Sequence, residues 1–163
     1  MSMPEIFVTS QISKLLRVPE WRIIKFVGGK EYGIAPALAQ AAGTGTRRLY
    51  DLENVCELAL AWWLFQAGLR SDVVGWILRQ VRAEQEPLKK LLELEESRAT
   101  NLYLAVTRTG RKGHYFVPRQ RVEFLWSIDD VAHLLDTSED NSNFVLLPVG
   151  ANYFDLKRRL KKL

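Results

Sequence analysis

Residues 43–50, "GTGTRRLY", hold the densest grouping of groups able to meet an anion: two glycines, two threonines, two arginines and a tyrosine. Phosphate-cradling chemistry would ask for more. A Walker loop needs a lysine at a fixed place after its second glycine, and a dinucleotide turn needs a third glycine opening a helix. "GTGTRRL" has neither, so both nucleotide readings fail. A wing reading fits better. A Gly/Thr tip lets backbone N–H groups and the hydroxyls of Thr44 and Thr46 reach phosphate oxygens. Arg47 and Arg48 add charge, and Tyr50 offers a hydroxyl. On a strand neighbouring arginines face opposite sides, so one of the pair should meet a polyanion and the other an acid within the domain.

Charge distribution agrees. The 163-residue chain carries a net charge of only +4. From Thr9 to Tyr50, however, seven Lys/Arg face two acids, Glu20 and Glu31. A second basic cluster runs from Arg108 to Arg121, and a third is the tail "LKRRLKKL". Such clusters suit an anionic partner. The tail also fits a solvated cationic helix end favoured by the helix dipole.

Other chemistry has little to build on. Cys56 is the single cysteine and sits in an apolar stretch, where it reads as a small buried group. His114 and His133 are too far apart in sequence to suggest a metal site, and no cofactor is called for. Asp129-Asp130 and Glu95-Glu96 are neighbours on expected helices and so do not face each other. They read as capping and surface charge, not as a catalytic pair, and the chain is expected not to be an enzyme. The run "LALAWWLF" is too short to span a bilayer. A cytoplasmic protein with no membrane partner is the expectation.

The elements that would position these groups follow from periodicity. Thr9 or Ser10 caps a helix whose apolar residues Ile12, Leu15 and Leu16 fall on one face. Arg17 and Val18 make a tight connection. Pro19 opens a second helix, "PEWRIIKFV", which buries Ile23, Ile24 or Phe26 and Val27 and ends at Gly28-Gly29. Trp21, Arg22 and Lys25 are left outward. Two short helices across a tight turn form a helix-turn-helix pattern. "RRLY" reads as a short strand. Asp51 caps the helix "LENVCELALAWWLFQA", which is apolar on more than one side and must be covered from two directions. Ser71 caps the next helix. "EPLKKLLELEESR" keeps helical period, with Pro87 opening or kinking it. Near residue 99 the texture changes. "NLYLAVTR" and "HYFVPR" read as a hairpin joined by "TGRKG", and "VEFLW" adds a strand. "SIDDVAHLLD" is a helix capped by Ser127, "FVLLPV" a buried strand, and "NYFDLKRRLKKL" an amphipathic helix.

"TSQISKLLRVPEWRIIKF" followed by "GTGTRRLYDLENV…FQAGLRSDVVGWIL" resembles the MerR-type winged-helix DNA-binding domain of bacterial transcription regulators. The likeness covers residues 6–82. The family's arginine–x–tyrosine falls on Arg48-Leu49-Tyr50, and its Gly-Leu helix end on Gly68-Leu69. The family's second helix carries an arginine followed by aromatic residues; here "IIKF" stands there, so that arginine's role passes to Arg22 or Lys25. The resemblance implies an α-helical winged helix-turn-helix domain over residues 1–83. A short linker or dimerisation helix over 84–99 and a small α+β domain over 100–163 follow. It implies a sequence-specific regulator binding double-stranded DNA as a homodimer. The second helix would enter the major groove with Trp21, Arg22 and Lys25. Thr9, Ser10 and Arg17 would hold the backbone, and Thr44, Thr46, Arg47, Arg48 and Tyr50 would grip phosphates from the wing. The rear half would complete the dimer and cover Trp62 and Trp63, or bind a small-molecule effector. The rival from another class is an excisionase-like architectural factor or a protein-binding adaptor built on the same fold.

Overall fold

The computed structural model describes residues 6–35, 48–84, 87–109, 119–137 and 142–163. Among these the chain is mostly helical, with two small antiparallel sheets. It divides into two compact units, residues 1–93 with 153–163, and residues 94–152. The division differs from the boundary expected near residue 99.

The first unit opens with strand β1 (Phe7–Val8) and runs straight into α1 (Thr9–Leu16). Neither Thr9 nor Ser10 is the cap. Val8 holds that position, and its N–H donates to Gln11 Oε1 at 2.9 Å. Gln11 thus satisfies the N–H of the cap residue itself, and Val8 gives the first turn no side-chain hydrogen bond. Arg17 ends α1 in the left-handed conformation, with φ 56°. The turn is closed by Val18 N–H to Ser13 O at 3.0 Å and by Ser13 Oγ to Val18 O at 2.7 Å. Helix α2 (Glu20–Gly28) starts on the carbonyl of Pro19, which accepts from Arg22 N–H at 2.9 Å. Its buried side is Ile23 and Phe26; Ile24, left open by periodicity, is exposed.

Strand β2 (Leu49–Tyr50) pairs with β1, Phe7 opposite Tyr50 and Val8 opposite Leu49. Asp51 then caps α3 (Leu52–Gln66), accepting from Asn54 N–H at 2.8 Å. From Asn54 to Ala61 every side chain of α3 is buried, as an all-round apolar helix requires. Gly68, at φ 85°, ends the turn after it. Helix α4 (Ser71–Glu84) includes Ser71 as its first residue. No long helix covers 84–99. Residues Leu88–Glu93 form a 3₁₀ turn, followed by the short α5 (Glu96–Ala99). Pro87 breaks the α-helical ladder, and the Glu53 carboxylate takes the freed N–H groups of Leu88 (2.7 Å) and Lys89 (2.8 Å). Leu88, Leu91 and Leu92 are buried.

In the second unit β3 (Tyr103–Thr109) is the centre of a sheet of order β4-β3-β5, with β4 at Arg119–Leu125 and β5 at Ser142–Leu147. β3 pairs with β4, which takes in "VEFLW" as far as Leu125 and the last residue of "HYFVPR", Arg119; the rest of "HYFVPR" lies outside the described residues. Residues 110–118 lie outside the described residues, as do 36–47. Helix α6 (Ile128–Thr137) is capped as expected, with Asp130 N–H on Ser127 Oγ at 3.1 Å. Ala105, Leu125 and Val131 form a core there with Tyr103, Leu134 and Leu146. Helix α7 (Val149–Leu160) begins in this unit. From Tyr153 onward its residues belong to the first unit, where Tyr153, Leu156 and Leu160 are buried. Among the described residues no helix is long and apolar enough to cross a membrane.

Candidate nucleic-acid interface

Burial of Ile23 and Phe26 fixes how α2 is rotated. Phe26 meets Tyr32 edge-on at 5.0 Å and Phe65 of α3 at 6.3 Å. The opposite edge then carries Trp21, Ile24, Lys25 and Gly28, all exposed, at helical positions i, i+3, i+4 and i+7. Trp21 keeps 59% of its surface and Ile24 keeps 46%.

Arg22 is held differently. Its guanidinium carbon lies 4.5 Å from the Trp21 ring centroid and 4.3 Å from that of Phe65. The side chain is half-buried, drawn across the helix toward α3. Two aromatic neighbours make this a cation–π arrangement that orders both Arg22 and the indole. Phe65 is itself stacked on Trp62, with centroids 5.9 Å apart. Beside Phe65 an open groove of about 440 Å³ is lined by Glu31, Arg70, Ser71 and Asp72.

Around α2 the exposed charges are mainly positive: Lys14, Arg17, Lys25 and Lys30, against Glu20 and Glu31. Ser10 is exposed and Thr9 half-buried, both in the first turn of α1. Val8, the residue before α1, pairs with Leu49, the residue after Arg48. The start of α1 and the base of the expected wing therefore meet. Thr44, Thr46 and Arg47 lie outside the described residues.

Of two residues expected at the phosphates, one is fully buried and the other half-buried. Tyr50 is fully buried, and its hydroxyl has no hydrogen-bond partner among the described residues. No phosphate reaches it there; its ring is core, fixed by the pairing with Phe7. Arg48 is half-buried, and its Nη1 is enclosed without a partner among the described residues. No ion pair to an acid is seen for it among them.

The tail's charge is partly spent on structure. Arg159 pairs with Asp155 and donates from Nη1 to Leu15 O at 3.1 Å, at the end of α1. Trp63 finds its cover within the first unit, edge-on to Tyr153 at 4.9 Å. The Tyr153 hydroxyl donates to Cys56 O at 2.9 Å. Burial, reinforced by the carboxylates of Glu53, Glu57 and Asp51, pushes the Cys56 thiol well above its ordinary range. A thiol so protonated is a poor nucleophile and a poor ligand.

The packing of Arg22 on Phe65 had no local signal, since the ring comes from another helix. The outward Ile24 did have one: it sits one turn from Trp21, on the side opposite Ile23 and Phe26. No protein-family model matches the chain, and no curated protein matches it.

Proposed function

We propose that this chain is a sequence-specific DNA-binding transcription regulator of the MerR type, with a winged helix-turn-helix whose helix α2 enters the major groove. The observation that carries the reading is the outward edge of α2. Trp21, Ile24 and Lys25 project from a helix anchored by Ile23 and Phe26, and Arg17 stands at the turn before it. A rigid helix with a free edge among cations suits insertion between two phosphate backbones. Arg17, Lys25 and Ser10 serve the backbone, and the base of the wing at Arg48 flanks the start of α1. A pair of copies would read inverted half-sites.

Selection of duplexes from random DNA tests this. The expected result is an enriched, inverted motif. Lys25→Ala should then weaken binding to all sequences alike and lower the slope of log K against log salt by about one. Recovery of no motif, or an unchanged slope, overturns the assignment. The second reading is an architectural factor, and the exposed indole of Trp21 favours it, because apolar side chains of such proteins wedge between base steps. It predicts strong bending with little sequence preference, which a circular-permutation gel assay reads directly.

A further inference from the structure

We infer that Trp21 and Ile24 read thymine methyl groups, so that the DNA sites this chain selects carry thymine where the outward edge of α2 enters the groove. The inference rests on the reading of α2 as the groove-entering helix, and it names what that helix recognises.

The composition of α2, EWRIIKFVG, does most of the work. The helix has no Asn, Gln, Ser or Thr, so the usual neutral readers of adenine are missing. Its single arginine is the residue that would fork onto guanine. That guanidinium is instead drawn back over Phe65 and the Trp21 ring, at 4.3 and 4.5 Å, and half-buried. Lys25 is a point charge without a fork and suits a phosphate. Glu20, exposed in the first turn, is an acceptor that suits cytosine N4. The rest of the edge is apolar: an indole with 59% and a sec-butyl side chain with 46% of its surface open.

A major groove offers such groups one apolar partner, the C5 methyl of thymine. The two residues lie at i and i+3, so their side chains sit together and sweep neighbouring base steps. Arg22 stacked on the indole restricts Trp21 to few orientations, which lowers the entropy lost on contact. The exposed cations around the pair, Lys14, Arg17, Lys25 and Lys30, match a duplex rather than an apolar protein face.

The test replaces thymine by deoxyuridine, one position at a time, in a selected duplex. The change removes a methyl and keeps base pairing and the O4 acceptor. At one or two positions in each half-site, affinity should fall about fourfold, the value of one buried methyl group. With Ile24→Ala or Trp21→Ala, thymine and deoxyuridine duplexes should bind equally at the matching position. Both side chains are exposed, so the variants should melt like the parent.

Equal binding of both duplexes by the parent, with sequence-specific binding intact, overturns the inference and leaves the regulator reading standing. So does a selected core without thymine. A deoxyuridine loss that persists in both variants removes Trp21 and Ile24 from the contact. If no duplex is bound above random DNA, the regulator reading falls and takes the inference with it. The apolar pair would then belong to a protein partner.

Discussion

Gly75 carries a contact that its type alone makes possible. A Cβ built there would lie 1.8 Å from the Glu31 carbonyl oxygen and 2.6 Å from its carbon. Helix α4 therefore touches the backbone that leaves α2. The same face fixes that backbone by hydrogen bonds, with Arg79 Nη1 on Glu31 O at 2.9 Å and Arg82 reaching Tyr32 O at 3.4 Å. Arg82 also pairs with the buried Glu57. Alanine favours a helix by about 1 kcal/mol over glycine, yet Gly75→Ala should destabilise by roughly 1–3 kcal/mol, because backbone must move to admit the methyl. Urea denaturation reads this as a lower midpoint at constant slope; an unmoved midpoint would refute the close approach. The buried Tyr153 gives a second prediction. Its phenol and the Cys56 thiol are both pushed up, first by burial and then by nearby acidic groups. Each binds its proton more tightly folded than unfolded. Their contribution is thus whole below the ordinary values, 9.0 for the thiol and 10.0 for the phenol, and is lost as pH rises from there toward the folded values. The melting temperature should fall from about pH 9 upward. Tyr153→Phe should cost about 1 kcal/mol at pH 7 for the lost bond to Cys56 O and flatten the alkaline fall above pH 10. A parallel pH profile in the variant would count against the phenol.

At the scale of elements, what could be read from sequence was whatever local spacing decides. The i, i+3, i+4 runs gave α1 and α2, Gly28-Gly29 gave an end, Asp51 and Ser127 gave caps, and "FVLLPV" gave β5. Competition among neighbours hid the rest. At α1, the helix begins directly after β1, so Val8 takes the cap position ahead of Thr9 and Ser10. A two-residue strand has no period, so nothing in "RRLY" showed that Tyr50 turns inward. Strand partners depend on register across a turn, so the spacing of "VEFLW" alone did not show that residues 122–125 lie opposite β3. In the candidate site the outward set Trp21 and Lys25 was legible from helical period, whereas the tethering of Arg22 by Phe65 was not, since it is made by a residue 43 positions on. The helix expected over 84–99 failed for a reason that can be tested. Pro87 freed N–H groups that a distant carboxylate, Glu53, now accepts at 2.7 and 2.8 Å. Glu53→Ala should cost about 1–2 kcal/mol, since one of these bonds is part-buried and the other exposed. The amides of Leu88 and Lys89 should exchange faster while those of α3 keep their protection. Uniform acceleration along α3 would mean that Glu53 supports the whole helix instead.

On the scale of the molecule, the order of the chain matters more than its halves. The first compact unit is discontinuous: residues 1–93 are completed by 153–163. A piece ending near residue 83 would lack part of its own core. Tyr153, Leu156 and Leu160 are each buried to within 2% of fully. At about 1.5–3 kcal/mol apiece, these three side chains supply roughly 5–9 kcal/mol, which is comparable to the 5–15 kcal/mol by which a whole domain is stable. Removing them also uncovers Trp63 and frees Leu15 O from Arg159. Residues 1–93 alone should therefore show no cooperative thermal transition by near-ultraviolet circular dichroism. A peptide of residues 149–163 added in trans should restore one, with a midpoint that rises with peptide concentration. If residues 1–93 melt as sharply and at the same temperature as the full chain, α7 is a passenger on that unit. In that case the cover of α3 must be sought elsewhere.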